Sequence, residues 1–307
     1  MDRPLFVIAA ASTSVLASIA MLAWIRCRRA SLLPKPSLTH PLLNLAVADL
    51  CEALVWLLQT CFPGVTGVDW ACNLCFAVNI FFQVAANCFA AALALRLGFL
   101  LARRLALSQT DACAKFDARS FAVCWTLATA APATFFANLS SPAKVLPSLG
   151  VCWSIGDWRN AIFDAVVPAL ALCVLVASYG TALLRLRGVS SRLRRRVVHN
   201  TSRYLLAYVI AWAPAVVNNA ALYITRHSYL PLHAMSHTIL FAGALNAGTY
   251  AINVYDKRSS RANEETLSID SNTCAETNGV PEVPETLSGA GDMLSDYDRL
   301  HPCGTQC

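Results

Sequence analysis

Two carboxylates, Asp49 and Glu52, stand inside a long apolar run, Pro41–Phe62. They lie one turn apart on one helical face. A carboxylate surrounded by hydrocarbon is expensive, so such a residue marks a functional site by default. A second polar group, Asn246, lies in the last apolar run, in Asn246-Ala247-Gly248-Thr249-Tyr250. Its amide can pair with Asp49 across a helix bundle, and Tyr250 lies about one turn below it. The preceding run carries Ala211-Trp212-Ala213-Pro214. A proline there removes a backbone hydrogen bond and bends the helix, with Trp212 riding on the bend. Asp49, Asn246 and Tyr250 thus read as the polar core of a conformational switch, with Trp212 and Pro214 as its pivot. Such an element is bistable and can be biased by a ligand.

The other chemistry-bearing group is sulfur. Cys152 lies in Val151-Cys152-Trp153, followed by Trp158-Arg159, in a loop between the fourth and fifth apolar runs. Cys72 stands at the head of the third run, on the same side of the bundle, so a Cys72–Cys152 disulfide would tie the loop down over a ligand mouth. Cys75 could replace Cys72 in that bond, but Cys72 lies nearer the outer surface, where bridges form. Most of the 13 cysteines are scattered along helices as small apolar residues.

The elements that position these groups are membrane helices. The chain has 307 residues, 56% hydrophobic and 14% charged, against about 25% charged in soluble domains. Seven runs reach the roughly 20 residues that a bilayer crossing requires: Leu5–Ile25, Pro41–Phe62, Asn73–Ala102, Ser120–Leu139, Ala161–Leu184, Tyr204–Thr225 and Leu230–Val254. The expected fold is an all-α membrane protein, a seven-transmembrane helix bundle. Loops on one side hold 18 Lys and Arg, and those on the other hold 4. The basic side is cytosolic, which predicts the N-terminus outside and the C-terminus inside. The first run is long for a signal peptide and is followed at once by Arg26-Cys27-Arg28-Arg29, so it reads as a retained helix.

The domain boundary falls after residue 256. Residues 1–256 form the bundle. Residues 257–307 form a disordered acidic tail, rich in Ser and Thr, including Ser259, Ser260, Thr266, Ser268, Ser271 and Thr273. Phosphates on that tail would add negative charge beside the basic loops. Those loops suit anionic lipid headgroups and require no nucleic acid.

The motifs resemble those of G-protein-coupled receptors. Rhodopsin-like receptors carry Leu-Ala-x-x-Asp, Cys-Trp-x-Pro and Asn-Pro-x-x-Tyr, and Asp49, Trp212, Pro214, Asn246 and Tyr250 occupy the corresponding places. Trp125 resembles their helix-four tryptophan. The chain departs from them at Ala211, at Ala247 and at Leu95-Arg96-Leu97, where Asp-Arg-Tyr would stand. Cys152-Trp153, Trp158-Arg159, Pro168 and Gly243-Ala244-Leu245-Asn246 with Tyr250 are closer to the slime-mould cyclic AMP receptors and their plant and animal relatives. The resemblance covers roughly residues 40–256. It implies a cell-surface receptor, not an enzyme and without a cofactor, that senses a small extracellular ligand and turns helices six and seven toward a heterotrimeric G protein.

Arg96 lies 24 residues after Cys72, about 36 Å along a helix, which places it at the G-protein-facing end. The expected ligand pocket opens outward among runs three, five, six and seven. Its candidate lining is Phe81, Phe82, Trp158, Arg159, Asn218, Asn219, Tyr223 and His233. Lys144, Arg159, Arg226 and His227 around the mouth favour an anionic or strongly polar ligand.

Two other readings compete. His233 and His237, four residues apart, with His40 and Asp49, would suit a membrane metallohydrolase. Their positions at opposite ends of the bundle argue against it. A small-solute transporter is the other. The last run holds no lysine for a retinal Schiff base, which excludes a light-driven rhodopsin.

Overall fold

The computed structural model describes residues 3–30, 39–62, 64, 67–102, 110–137, 143–146, 151–153, 162–185, 191–225 and 235–253. These residues form seven helices and one small hairpin. The helices are α1 (Arg3–Ala30), α2 (Thr39–Cys61), α3 (Asp69–Ala102), α4 (Thr110–Phe136), α5 (Val167–Arg185), α6 (Ser191–Thr225) and α7 (242–253). A π-turn, Ile162–Val166, leads into α5, and a 3-10 turn, His237–Phe241, leads into α7. Strands β1 (Lys144–Leu146) and β2 (Val151–Trp153) pair antiparallel, with Val145 opposite Cys152.

Five of the helices are long and apolar enough to cross a membrane: Leu5–Cys27, His40–Cys61, Asp69–Arg96, Val167–Arg185 and Ser202–Leu222. This is the makeup of a multi-pass membrane protein. The expected fourth and seventh crossings are weaker, for physical reasons. Helix α4 begins with a charged stretch that includes Lys115, Asp117 and Arg119, and it holds Pro132. Helix α7, described over 242–253, is entered through a 3-10 turn. Hydroxyl side chains inside the helices bond back to their own backbone, as Thr60 does to the Trp56 carbonyl and Thr129 to that of Trp125. This satisfies a polar group where no water is at hand.

Helix α3 is the axis of the bundle. Its Phe76, Ile80, Val84 and Phe89 pack into a core shared with α2, α4 and Cys152 of β2. Ala94 lies in a second core with Leu175, Tyr208 and Trp212 from α5 and α6. Leu93 lies in a third core with Met21, Ile25, Leu42 and Ala247.

Helix α7 approaches α1 and α2 closely at Gly243. A Cβ there would lie 2.8 Å from Ser18 Oγ and 3.3 Å from Asp49 Cβ. Gly243→Ala is therefore expected to destabilise the fold by about 1–3 kcal/mol through overpacking. Thermal unfolding of the purified variant measures this. The Ser18→Ala/Gly243→Ala double variant should recover part of the loss, because the nearest obstacle is then gone.

Candidate functional site

The polar centre joins three helices. Asn246 Nδ2 of α7 donates to Asp49 Oδ2 of α2 at 2.9 Å. Asp49 is 4% exposed and Glu52 is 6% exposed. Both line a small cavity with Ser14 of α1 and Gly243 of α7. At about 10 Å³ it has room for one water at most. Ser14 Oγ donates to the Leu240 carbonyl at 2.6 Å, which ties α1 to the turn before α7. Ser18 Oγ is buried without a hydrogen-bond partner. Tyr250 packs lower, with Tyr204, against Met21, Ile25 and Leu42.

Trp212 is buried and stacks on Tyr208, ring centroids 6.1 Å apart at 24°. Pro214 lies inside α6. The Thr238 hydroxyl, in the turn that starts α7, lies 3.2 Å from the Ala211 carbonyl just before Pro214 and 2.9 Å from the Met235 carbonyl of its own turn, and it shares its one proton between them. A proline leaves backbone acceptors of the preceding turn unpaired, and nearby hydroxyls are the usual remedy in lipid.

A polar ladder runs down α3. Asn79, Gln83 and Asn87, four residues apart, are all buried. The Tyr208 hydroxyl of α6 donates to Asn87 Oδ1 and also lies 3.0 Å from the Pro168 carbonyl of α5. Three helices therefore meet at one phenol. Asn79 Oδ1 of α3 and Asn218 Oδ1 of α6 are buried acceptors with no donor. Buried acceptors of this kind call for water or a ligand donor. The spacing of Asn79, Gln83 and Asn87 was visible in the sequence and marks one face of a helix; the reading of the sequence passed over it.

The disulfide is present. Cys72 and Cys152 are bonded, with Cα atoms 5.3 Å apart, and Cys75 is a free thiol. Two further contacts hold the hairpin. Gln59 Oε1 of α2 accepts from Cys152 N at 2.7 Å, and Asn73 Oδ1 of α3 accepts from Ala143 N at 2.7 Å. Neither amide stood out in the sequence, because an isolated Gln or Asn at a helix end has no distinguishing pattern.

At the opposite end of α3, Arg96 is 1% exposed and its Nη1 lies 2.7 Å from Asp117 Oδ1 of α4, itself 12% exposed. Burial pushes the Asp117 carboxyl above its ordinary range, and the charges of Arg96 and His40 pull it back in part.

Of the expected ligand-lining residues, the structure describes the side chains of Phe81, Phe82, Asn218 and Asn219. Phe81 stacks on Trp125 of α4, centroids 5.5 Å apart at 23°, and Phe82 meets Phe81 edge to face. Phe81 thus turns toward α4 and away from the gap between α3 and α6. Asn218 is buried on α6, with its Nδ2 3.5 Å from Asn219 Oδ1. Trp158, Arg159, Arg226, His227, His233 and the whole segment 254–307 lie outside the described residues, as does the side chain of Tyr223. The larger described cavity, about 370 Å³, lies at the Arg96 end between α2, α3 and α4. Of the histidines weighed as metal ligands, His237 packs near Phe6 of α1, whereas His40 lines the cavity at the other end. Among the described residues no three His, Cys, Asp or Glu come together as a metal site. No protein-family model and no curated protein matches the chain.

Proposed function

We propose that the chain is a receptor of the G-protein-coupled kind, a seven-crossing bundle in the plasma membrane with its N-terminus outside and its C-terminus inside. It senses a small extracellular ligand and moves α6 and α7 to engage a heterotrimeric G protein. The observation that carries this reading is the Asp49–Asn246 hydrogen bond, because it joins α2 to α7 beside the Thr238 link to α6. A ligand that moves α6 would act on α7 through that link and strain the buried bond. Hydrogen bonds in a membrane bundle contribute about 1–2 kcal/mol, a size that one ligand can overcome or reinforce. Asn79 and Asn218 supply buried acceptors for the ligand on α3 and α6. Arg96 stands at the end where the G protein would bind, held by Asp117 until the helices move.

The test is guanine-nucleotide exchange by a panel of purified G proteins on membranes holding the full chain, with candidate ligands added. Ligand-dependent exchange above that of empty membranes supports the reading. Ligand-independent solute flux with no exchange points to a transporter instead. Asn246→Ala leaves Asp49 buried without its donor, which should cost about 1–3 kcal/mol and shift both basal and stimulated exchange. Unchanged exchange at equal surface expression would remove this bond from the switch.

A further inference from the structure

We infer that the cavity between α2, α3 and α4 at the Arg96 end is a binding site for an amphiphile that carries a protonated amine. Its volume, about 370 Å³, falls within the roughly 300–1,000 Å³ of small-molecule sites. Its wall divides into an apolar part, with Phe89 and Phe121, and a polar part, with His40, Asn44, Asp117 and Ser120.

The polar part is rich in acceptors. Asn44 gives one of its two amide hydrogens to the His40 carbonyl at 2.9 Å, and its amide oxygen can accept. Among the described wall residues Asp117 is the carboxylate, and the His40 imidazole stands in the same wall. Asp117 Oδ1 lies 2.7 Å from Arg96 Nη1. Arg96 does not line the cavity. It reaches the carboxylate from within the bundle, so the wall presents the carboxylate and not the guanidinium. An anion there would face a carboxylate and an amide oxygen. An ammonium offers three donors and no acceptor, and its bond to a carboxylate is charge-assisted.

The apolar part receives the body of the molecule. Phe89 and Phe121 both pack edge-on to Trp125, at 5.3 and 6.3 Å. Phe121 is half exposed, and His40 and Ala118 are exposed as well, so the cavity opens along the side of the bundle as well as at its end. A bound ammonium would share Asp117 with Arg96 and loosen the tie between α3 and α4. The amine could belong to a membrane lipid headgroup or to a free amphiphile. The site stands on its wall chemistry and does not depend on the receptor reading.

The test uses the full chain in phosphatidylcholine nanodiscs with dodecylamine as probe and dodecanol as its neutral match. Dodecylamine should raise the melting temperature by about 3 °C or more at saturation, and dodecanol should not. Ala118→Phe fills the cavity from an exposed position and leaves the ion pair in place; it should abolish the shift while melting normally without probe. Asp117→Asn should also abolish it, and if that variant fails to fold, Ala118→Phe carries the test. Nanodiscs containing phosphatidylethanolamine separate the sources. A comparable shift without dodecylamine, lost in Ala118→Phe, assigns the site to a lipid headgroup, and a shift with dodecylamine alone assigns it to a free amine. Equal shifts from dodecanol, a shift that survives Ala118→Phe, or none with either amine overturns the proposal.

Discussion

Cys72→Ser or Cys152→Ser should destabilise the folded protein by about 2–5 kcal/mol. The bond spans 80 residues of sequence, so cutting it releases a long loop in the unfolded chain, where the entropic gain is greatest. It also frees β2 from the head of α3. The Gln59 and Asn73 contacts remain, but each is a single hydrogen bond worth about 1 kcal/mol. Melting of the purified variants under non-reducing conditions gives the loss directly. Cys75→Ser is the matched control: that thiol is free and three residues away, so its effect should be the smaller. If the three serine variants melted alike, the bond would contribute little.

Arg96→Met should be the other severe change. It leaves the Asp117 carboxylate buried without its cation, a loss of about 3–5 kcal/mol for a pair broken from one side. The double variant Arg96→Met/Asp117→Leu removes both charges and should recover most of that loss, because the desolvation cost disappears with the attraction. Chemical or thermal unfolding of the four proteins completes the cycle. A double variant as unstable as Arg96→Met would mean that Arg96 acts through packing of its long side chain and not through Asp117.

Much of the bundle was legible because lipid leaves polar residues conspicuous. Asp49 and Asn246 stood out in apolar runs, and counting along helices was enough to pair them, as the structure does at 2.9 Å. Cys72 and Cys152 were legible because both sit at helix mouths on one side. The depth of Arg96 followed from helical rise. Its partner did not: Asp117 comes from a neighbouring helix whose rotation no periodicity records. Phe81 was misplaced for a related reason. The apolar residues of helix α3 lie on several of its faces, so their pattern does not say which face looks toward α4, and Phe81 lies on Trp125. The hairpin was invisible because three-residue strands are shorter than any alternating pattern. The helix Thr110–Phe136 starts in a charged stretch before the apolar run Ser120–Leu139, and the approach to α7 is wound as a 3-10 turn, which hydropathy does not record.

The three fastenings of the hairpin have a mechanical consequence. Cys152 is held by a covalent bond to α3 and a hydrogen bond to α2, and Ala143 is held by Asn73 beside Cys72. Clamped at two points along its length, the hairpin behaves as a stiff beam laid across the heads of two helices. A force applied to it, by an antibody or a pulling tether, cannot peel it away one contact at a time. The load passes into α2 and α3 together, so the hairpin should detach only when the tops of those helices unravel.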